Sequence, residues 1–222
     1  MTVSFDLGGK TAIVTGANTG LGQAIAVALA GAGADVALVG RSSMAETEEA
    51  IASAGGGRTL TIKADLSTIA PVQDVIDQTL AWSGRADILV NNAGIIRRAD
   101  AVDFSEADWD AVMDVNLKTV FFLSQAFARH LLAEKRSGKI INIASLLSFQ
   151  GGIRIPSYTA SKSGLAGLTR LLACEWAGKG INVNAIAPGY FETNNTEALR
   201  NDDDRNAAIL ARIPAGHWGR PE

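Results

Sequence analysis

TAIVTGANTGLG, residues 11–22, decides the fold. Its first five residues are apolar or β-branched without a break, the pattern of a strand covered on both faces. Gly16 closes that run, Gly20 and Gly22 follow, and Leu21, Ile25, Ala28 and Leu29 recur at helical spacing over residues 21–30. Strand, glycine loop and helix in this order open a βαβ unit. Glycines in such a loop permit positive φ, admit a pyrophosphate close to the backbone and aim helix N–H groups at an anion. The spacing G-x-x-x-G-x-G differs from the G-x-G-x-x-G dinucleotide fingerprint. By itself the loop therefore also fits a turn kept only for strand–helix packing.

Outward from this stretch the alternation repeats. Strands are expected at residues 35–39, 59–63, 87–91, 139–144 and 181–186, and helices at 45–54, 72–82, 109–135 and 157–177. The 109–135 stretch holds one or two helices with Asn116 in the middle. Unbroken apolar strands joined by helical crossovers predict a doubly wound parallel sheet, a Rossmann fold, in a single domain over residues 1–222. Residues 190–214 depart from the rhythm, being polar and then helical after Pro188-Gly189, and are expected to form a substrate lid.

Composition narrows the function. The chain has 222 residues, 47% of them hydrophobic, and 20 Lys and Arg against 23 Asp and Glu give a net charge of −3. No basic excess is available for nucleic acid. A lone Cys174 excludes an internal disulfide, and neither His130 nor His217 stands in a metal-ligand pattern. Without a signal-peptide pattern in residues 1–10 or an apolar run long enough for a membrane, a soluble cytoplasmic protein is expected.

The residues fit for chemistry lie at the carboxyl ends of the expected strands. Ser145 follows KIINIA, and Tyr158 and Lys162 stand four apart on one helical face. Taken alone, such a Tyr–Lys pair is usually a surface pair. As a proton carrier, Tyr158 needs its pKa brought down from about 10. Lys162 and an oxidised nicotinamide supply positive charge for that, and a drop of about three units represents about 4 kcal/mol. Ser145 is suited to hold the reacting oxygen. At the second strand's end, Gly40 leaves space where an NAD-specific site would carry an acid. Arg41 and Ser42 there fit either a ribose 2′-phosphate or solvent, so the cofactor is expected to be NAD(P), leaning to NADP.

TGANTGLG, Asp65, NNAG at residues 91–94, Asn116, Ser145, YTASK at 158–162 and Pro188-Gly189 stand in the order and approximate spacing of the short-chain dehydrogenase/reductase family, which the chain resembles along its length. The resemblance implies Tyr158 as acid/base, Lys162 tuning it and contacting the nicotinamide ribose, Ser145 positioning the carbonyl or hydroxyl, and Asn116 anchoring a water that links Lys162 to solvent. For the cofactor it implies Gly16, Asn18, Thr19, Gly20, Leu21 and Gly22 at the pyrophosphate. Asp65 and Leu66 would lie at adenine, Asn91, Ala93 and Gly94 at the adenosine ribose, and Pro188, Gly189, Phe191 and Thr193 at the carboxamide.

NNAGIIRRAD, SFQGGIRIPSYTASKSG, NVNAIAPGYFETNNT and RIPAGHWGRPE are similar to the sugar-acid branch of that family, which includes 2-deoxygluconate 3-dehydrogenases, 2-keto-3-deoxygluconate 5-dehydrogenases and gluconate 5-dehydrogenases. The branch implies a sugar-acid substrate, with Arg98, Gln150, Arg154 and Asn194 as candidate contacts alongside Ser145 and Tyr158, and a homotetramer or homodimer. Members normally continue past GRPE with a helix and a seventh strand, so an edge strand is expected to be missing. The same triad also serves 3-oxoacyl reductases, but Glu192, Thr193, Asn194 and Asn195 make this lid polar. A cofactor-sensing protein without catalysis would not need Tyr158 and Lys162.

Overall fold

In the computed structural model, residues 4–221 are described. Residues 1–3, part of the expected leaderless start, and Glu222, the end of the RIPAGHWGRPE match, lie outside them. Six parallel strands form one sheet in the order β3-β2-β1-β4-β5-β6. They are β1 Thr11–Thr15, β2 Asp35–Gly40, β3 Thr59–Lys63, β4 Ile88–Asn91, β5 Gly138–Ile143 and β6 Ile181–Ile186. The crossover helices are α1 Gly20–Gly31, α2 Ala45–Ser53, α3 Val72–Ser83, α4 Glu106–Met113, α5 Thr119–Ala133 and α6 Pro156–Trp176. Strand order reverses between β1 and β4, and a doubly wound sheet opens its ligand crevice at the carboxyl ends of such a pair.

Strand alternation divides the core. Ile13, Val39, Ile62, Leu89 and Ile140 face one layer with Val75, Phe127, Leu131 and Leu172, while Ala12, Val14, Val36, Leu38 and Val90 face Ala26, Ala30 and Ile51 on the other. Local signals place the helices. Ser105 caps α4 by accepting from the Asp108 N–H at 3.1 Å, Pro156 opens α6, and Gly84 ends α3 at φ 72. At the amino ends of the strands, Asp87 accepts from the Thr11 N–H at 2.9 Å, from Arg85 at 2.7 and 2.8 Å and from Arg136 at 2.8 Å.

Two departures from expectation matter. The helical stretch around Asn116 is broken by a π-helical turn over Asp114–Lys118, which separates α4 from α5. Among the described residues β6 pairs only with β5, and Asn182, Asn184 and Ile186 on it are exposed, so the rule of two covered faces ends there. The expected lid segment contains a 3-10 turn at Asn194–Thr196 and helices α7 Glu197–Arg200 and α8 Asp203–Leu210. Its base is clipped shut: the Gly219 N–H donates to Tyr190 O and the Glu192 N–H to Gly219 O, each at 2.9 Å. The buried Trp218 meets Tyr190 edge-on at 5.6 Å. No helix among the described residues is long and apolar enough to cross a membrane.

Candidate active site

At the carboxyl edge of β1, the chain must turn into α1 while staying against the loop that leaves β4. Gly16 does so at φ 64, where a Cβ would sit 2.9 Å from Ala93 Cα. A Cβ on Gly22 would lie 2.1 Å from the Gly16 carbonyl oxygen, so only glycine closes the first turn of α1 onto the loop. Thr15 fixes the two loops together by accepting from the Asn92 and Ala93 N–H groups, each at 3.0 Å. This cradle leaves the N-terminus of α1 open to the crevice, the arrangement a pyrophosphate requires.

The crevice contains a cavity of about 390 Å³ lined by the glycine loop together with Ser145, Tyr158, Lys162, Phe191 and Thr193. A second space of about 150 Å³ adjoins it beyond Gly16 and Asn18, lined by Gly40, Arg41, Ser42, Asp65 and Leu66. An extended dinucleotide fits such a pair, with its reactive end at Tyr158 and its adenosine end at Asp65. Arg41 Nη1 and Asp65 Oδ1 are 4.0 Å apart and both exposed, and the Ser67 N–H holds the Asp65 carboxyl below its usual range, with Arg41 contributing less.

Around Tyr158 burial is uneven: Lys162 is buried, while Ser145 and Tyr158 are half-buried. Ser145 begins a 3-10 turn at Leu146–Ser148 and accepts from the Leu147 N–H at 3.2 Å; Ser148 Oγ ties that turn to α6 by donating to the Lys162 carbonyl at 2.7 Å. Lys162 is 4% exposed and donates to the Ile143 carbonyl at 2.6 Å; burial brings its pKa down to about 8. Its Nζ is 5.7 Å from the Tyr158 ring centroid. Burial pushes the Tyr158 phenol above its usual pKa, opposed more weakly by the Ser145 hydroxyl and the Arg98 charge. The expected drop in that pKa is thus not a property of the protein alone: without the cofactor's charge, desolvation outweighs the neighbouring cations. Among the described residues no His, Cys, Asp and Glu cluster is built for a metal.

A family model for the short chain dehydrogenases matches residues 10–204. The chain belongs to the short-chain dehydrogenase family. Members are NAD(P)-dependent oxidoreductases, and this chain is one of them. It is 58% identical over 218 residues to a 2-dehydro-3-deoxy-D-gluconate 5-dehydrogenase of Escherichia coli K12, covering 98% of this chain and 86% of that protein. A crystal structure of a putative 2-deoxy-D-gluconate 3-dehydrogenase from Agrobacterium tumefaciens with bound NADP is 63% identical, with a TM-score of 0.93 and coverage of 100% and 87%. A gluconate 5-dehydrogenase from Burkholderia cenocepacia, in complex with NADP and tartrate, is 39% identical with a TM-score of 0.90, covering 98% and 85%.

The short-chain dehydrogenase crevice gathers most of the residues singled out by sequence, and displaces some. Asn18, Thr19, Gly20, Leu21, Pro188, Gly189 and Asn194 line the larger space, and Ala93 and Gly94 line both. Asn91 does not reach it. It is 2% exposed, and its amide donates to Ser124 at 3.0 Å and Asn142 at 2.9 Å, because strand alternation turns it into the core. Asn92, its neighbour on the opposite side, lines the cavity instead and donates to Gly16 O at 3.1 Å.

Asn116 is fully buried; it accepts from the Ile95 N–H and donates to the Ile95 carbonyl, each at 2.9 Å, and donates to Ser161 at 3.3 Å. Its side chain is therefore committed to shaping the loop after β4. Arg98 donates to the Asn195 carbonyl of the lid at 2.8 Å. Arg98, Gln150 and Arg154 stand outside the lining of both spaces, and Arg154 Nε lies 3.1 Å from Asp100. Asn92, Ile95 and the Ile143 carbonyl were missed; for Asn92 the alternation along β4 was the available signal.

Proposed function

We propose that the chain interconverts a secondary hydroxyl and a ketone on a six-carbon sugar acid of the gluconate, 2-deoxygluconate or 2-keto-3-deoxygluconate type. The observation that carries this reading is Arg98, an exposed cation held at 2.8 Å on the lid carbonyl of Asn195, whose charge favours the ionised form of Tyr158. A fixed guanidinium beside the acid/base suits a substrate that ends in a carboxylate. The names of the similar dehydrogenases point to the same substrate class.

When bound, NAD(P) supplies the hydride acceptor or donor. Ser145 holds the reacting oxygen, and Tyr158 takes the hydroxyl proton during oxidation and returns it during reduction. Lys162 keeps positive charge under the ring of Tyr158 and is placed to hold ribose hydroxyls. The segment over residues 190–214 excludes water above the reacting atoms. Arg41 and Ser42 favour NADP, since β2 ends without an acid and NADP is the cofactor of the similar structures.

The chain is read as one cytoplasmic oxidoreductase domain that assembles as a homodimer or homotetramer. Leu117, Phe121, Phe122, Leu168 and Leu171 form an apolar face across α5 and α6 that suits a second copy. Wild type assayed with NADP against gluconate, 2-deoxygluconate, 2-keto-3-deoxygluconate and a matched neutral polyol, and with NADPH against a 3-oxoacyl thioester, tests the reading. Turnover confined to a sugar acid is expected; preference for the thioester would replace it with the acyl-reductase reading.

A further inference from the structure

The segment that carries Arg98 is gripped by a residue whose own backbone stands in an unfavourable conformation. Arg154 has φ 64, in the left-handed region that residues with a Cβ adopt only at a cost. Two contacts hold it there. Its carbonyl accepts from the Ala99 N–H at 3.1 Å, and its Nε lies 3.1 Å from Asp100 Oδ1. Both contacts land on the two residues that follow Arg98. On the other flank, Arg97 Nε is 3.2 Å from Asp108 of α4. The Arg154–Asp100 pair is exposed on both sides, 61% and 66%, and an ion pair of that kind contributes little alone. The left-handed turn adds what the pair lacks, because it presents the carbonyl and the guanidinium to the same neighbouring segment.

We propose that Arg154 is a positioning residue. With Asp100 it sets the segment 95–100 at the edge of the crevice, and so places the Arg98 guanidinium on the lid carbonyl of Asn195. Arg154 also lies four residues before Tyr158, so one residue ties the lead into the catalytic helix to the substrate arginine. This rests on the reading of Arg98 as the group that meets the substrate's charged end.

The test measures KM and kcat for the preferred sugar acid in Arg154→Ala, Arg154→Gly and Asp100→Asn, each alone and with Arg98→Ala. Amide exchange over residues 95–100 is followed in the same proteins. Arg154→Ala keeps the strained backbone and loses the pair, whereas Arg154→Gly loses the pair and frees the backbone. KM is expected to rise about 2- to 30-fold, the range for substitutions that act through other residues, with kcat within about twofold. The alanine variant, which keeps the cost of φ 64 without the pair that holds it, shows the larger effect, the glycine variant the smaller one, and Asp100→Asn reproduces the alanine variant.

In the Arg98→Ala background these losses vanish, and exchange at residues 95–100 quickens in every Arg154 variant. Losses that add fully to that of Arg98→Ala overturn the proposal, since Arg154 then acts on the substrate by itself. Unchanged KM and unchanged exchange overturn it as well. If Arg98→Ala leaves KM unaltered while exchange quickens in Arg154→Ala, the reading of Arg98 fails and the tie on the segment stands.

Discussion

Lys162 is a buried cation that the fold carries at a cost. It is 4% exposed, has no carboxylate partner among its described contacts, and gives one hydrogen bond to the Ile143 carbonyl. Its pKa falls from 10.5 in the unfolded chain to about 8 in the folded one. The sign follows from proton binding. Between these values the unfolded chain holds a proton that the folded protein lacks, so stability rises with pH across the window and is lowest below pH 8. A difference of about 2.5 units amounts to roughly 3 kcal/mol at pH 6.5 and roughly 1.4 kcal/mol at pH 9.5. Lys162→Met removes that penalty but leaves the Ile143 carbonyl unpaired, which costs about 1–3 kcal/mol. The pH-independent part cancels when two pH values are compared. Urea unfolding of both proteins without cofactor, at pH 6.5 and 9.5, therefore isolates the charge. The stability of Lys162→Met relative to wild type is expected to be about 2 kcal/mol more favourable at pH 6.5 than at pH 9.5. An equal difference at both pH values would refute the buried-charge reasoning, and a smaller advantage at pH 6.5 would reverse it.

Three further outcomes are expected. Arg41→Ala weakens NADP binding by about 1–3 kcal/mol and leaves NAD nearly unchanged, as titrations with each cofactor will read; equal losses remove the phosphate assignment. Arg98→Ala lowers kcat/KM for sugar acids about 10- to 150-fold and spares neutral polyols, measured by initial rates. Asp87→Asn destabilises the fold by about 2–4 kcal/mol near neutral pH, somewhat below the full cost of breaking a buried pair because its arginines reach solvent. Burial raises the Asp87 pKa, but its bonds to Arg85 and Thr11 and the charge of Arg136 outweigh that and lower it from 3.8. The Asp87 contribution is accordingly present above about pH 4 and lost as pH falls through the folded value; chemical denaturation at pH 7 and pH 3 shows whether the variant's deficit shrinks in acid.

The sheet could be read from the sequence because period and punctuation agree along it. TAIVT, KIINIA and INVNAI are strands within a residue of their expected bounds, and Ser145, Tyr158 and Lys162 meet because strand ends and a helix face are sequence properties. The misses arise where contacts distant in sequence decide. Asn91 and Asn92 look alike in NNAG; alternation along β4 puts them on opposite sides, and the contacts with Asn142 and Ser124 show which one faces inward. Arg154 read as a cation available to substrate, yet its direction is set by Asp100 and by a left-handed φ that composition does not announce. The π turn at Asn116 likewise carries a contact that local sequence does not announce, the grip of its side chain on Ile95, 21 residues away. The pKa of Tyr158 depends on burial by the folded crevice, so the sequence indicated the cations around it but not the desolvation they must overcome.

The central claim is that Tyr158 moves the proton while a sugar acid is oxidised or its ketone reduced. The most direct measurement is kcat for wild type and Tyr158→Phe with the preferred sugar acid, with cofactor binding followed in the same samples. A fall of at least about 100-fold in kcat with unchanged cofactor affinity is predicted, the usual contribution of a general acid/base. Near-normal turnover in a folded Tyr158→Phe protein would contradict the account.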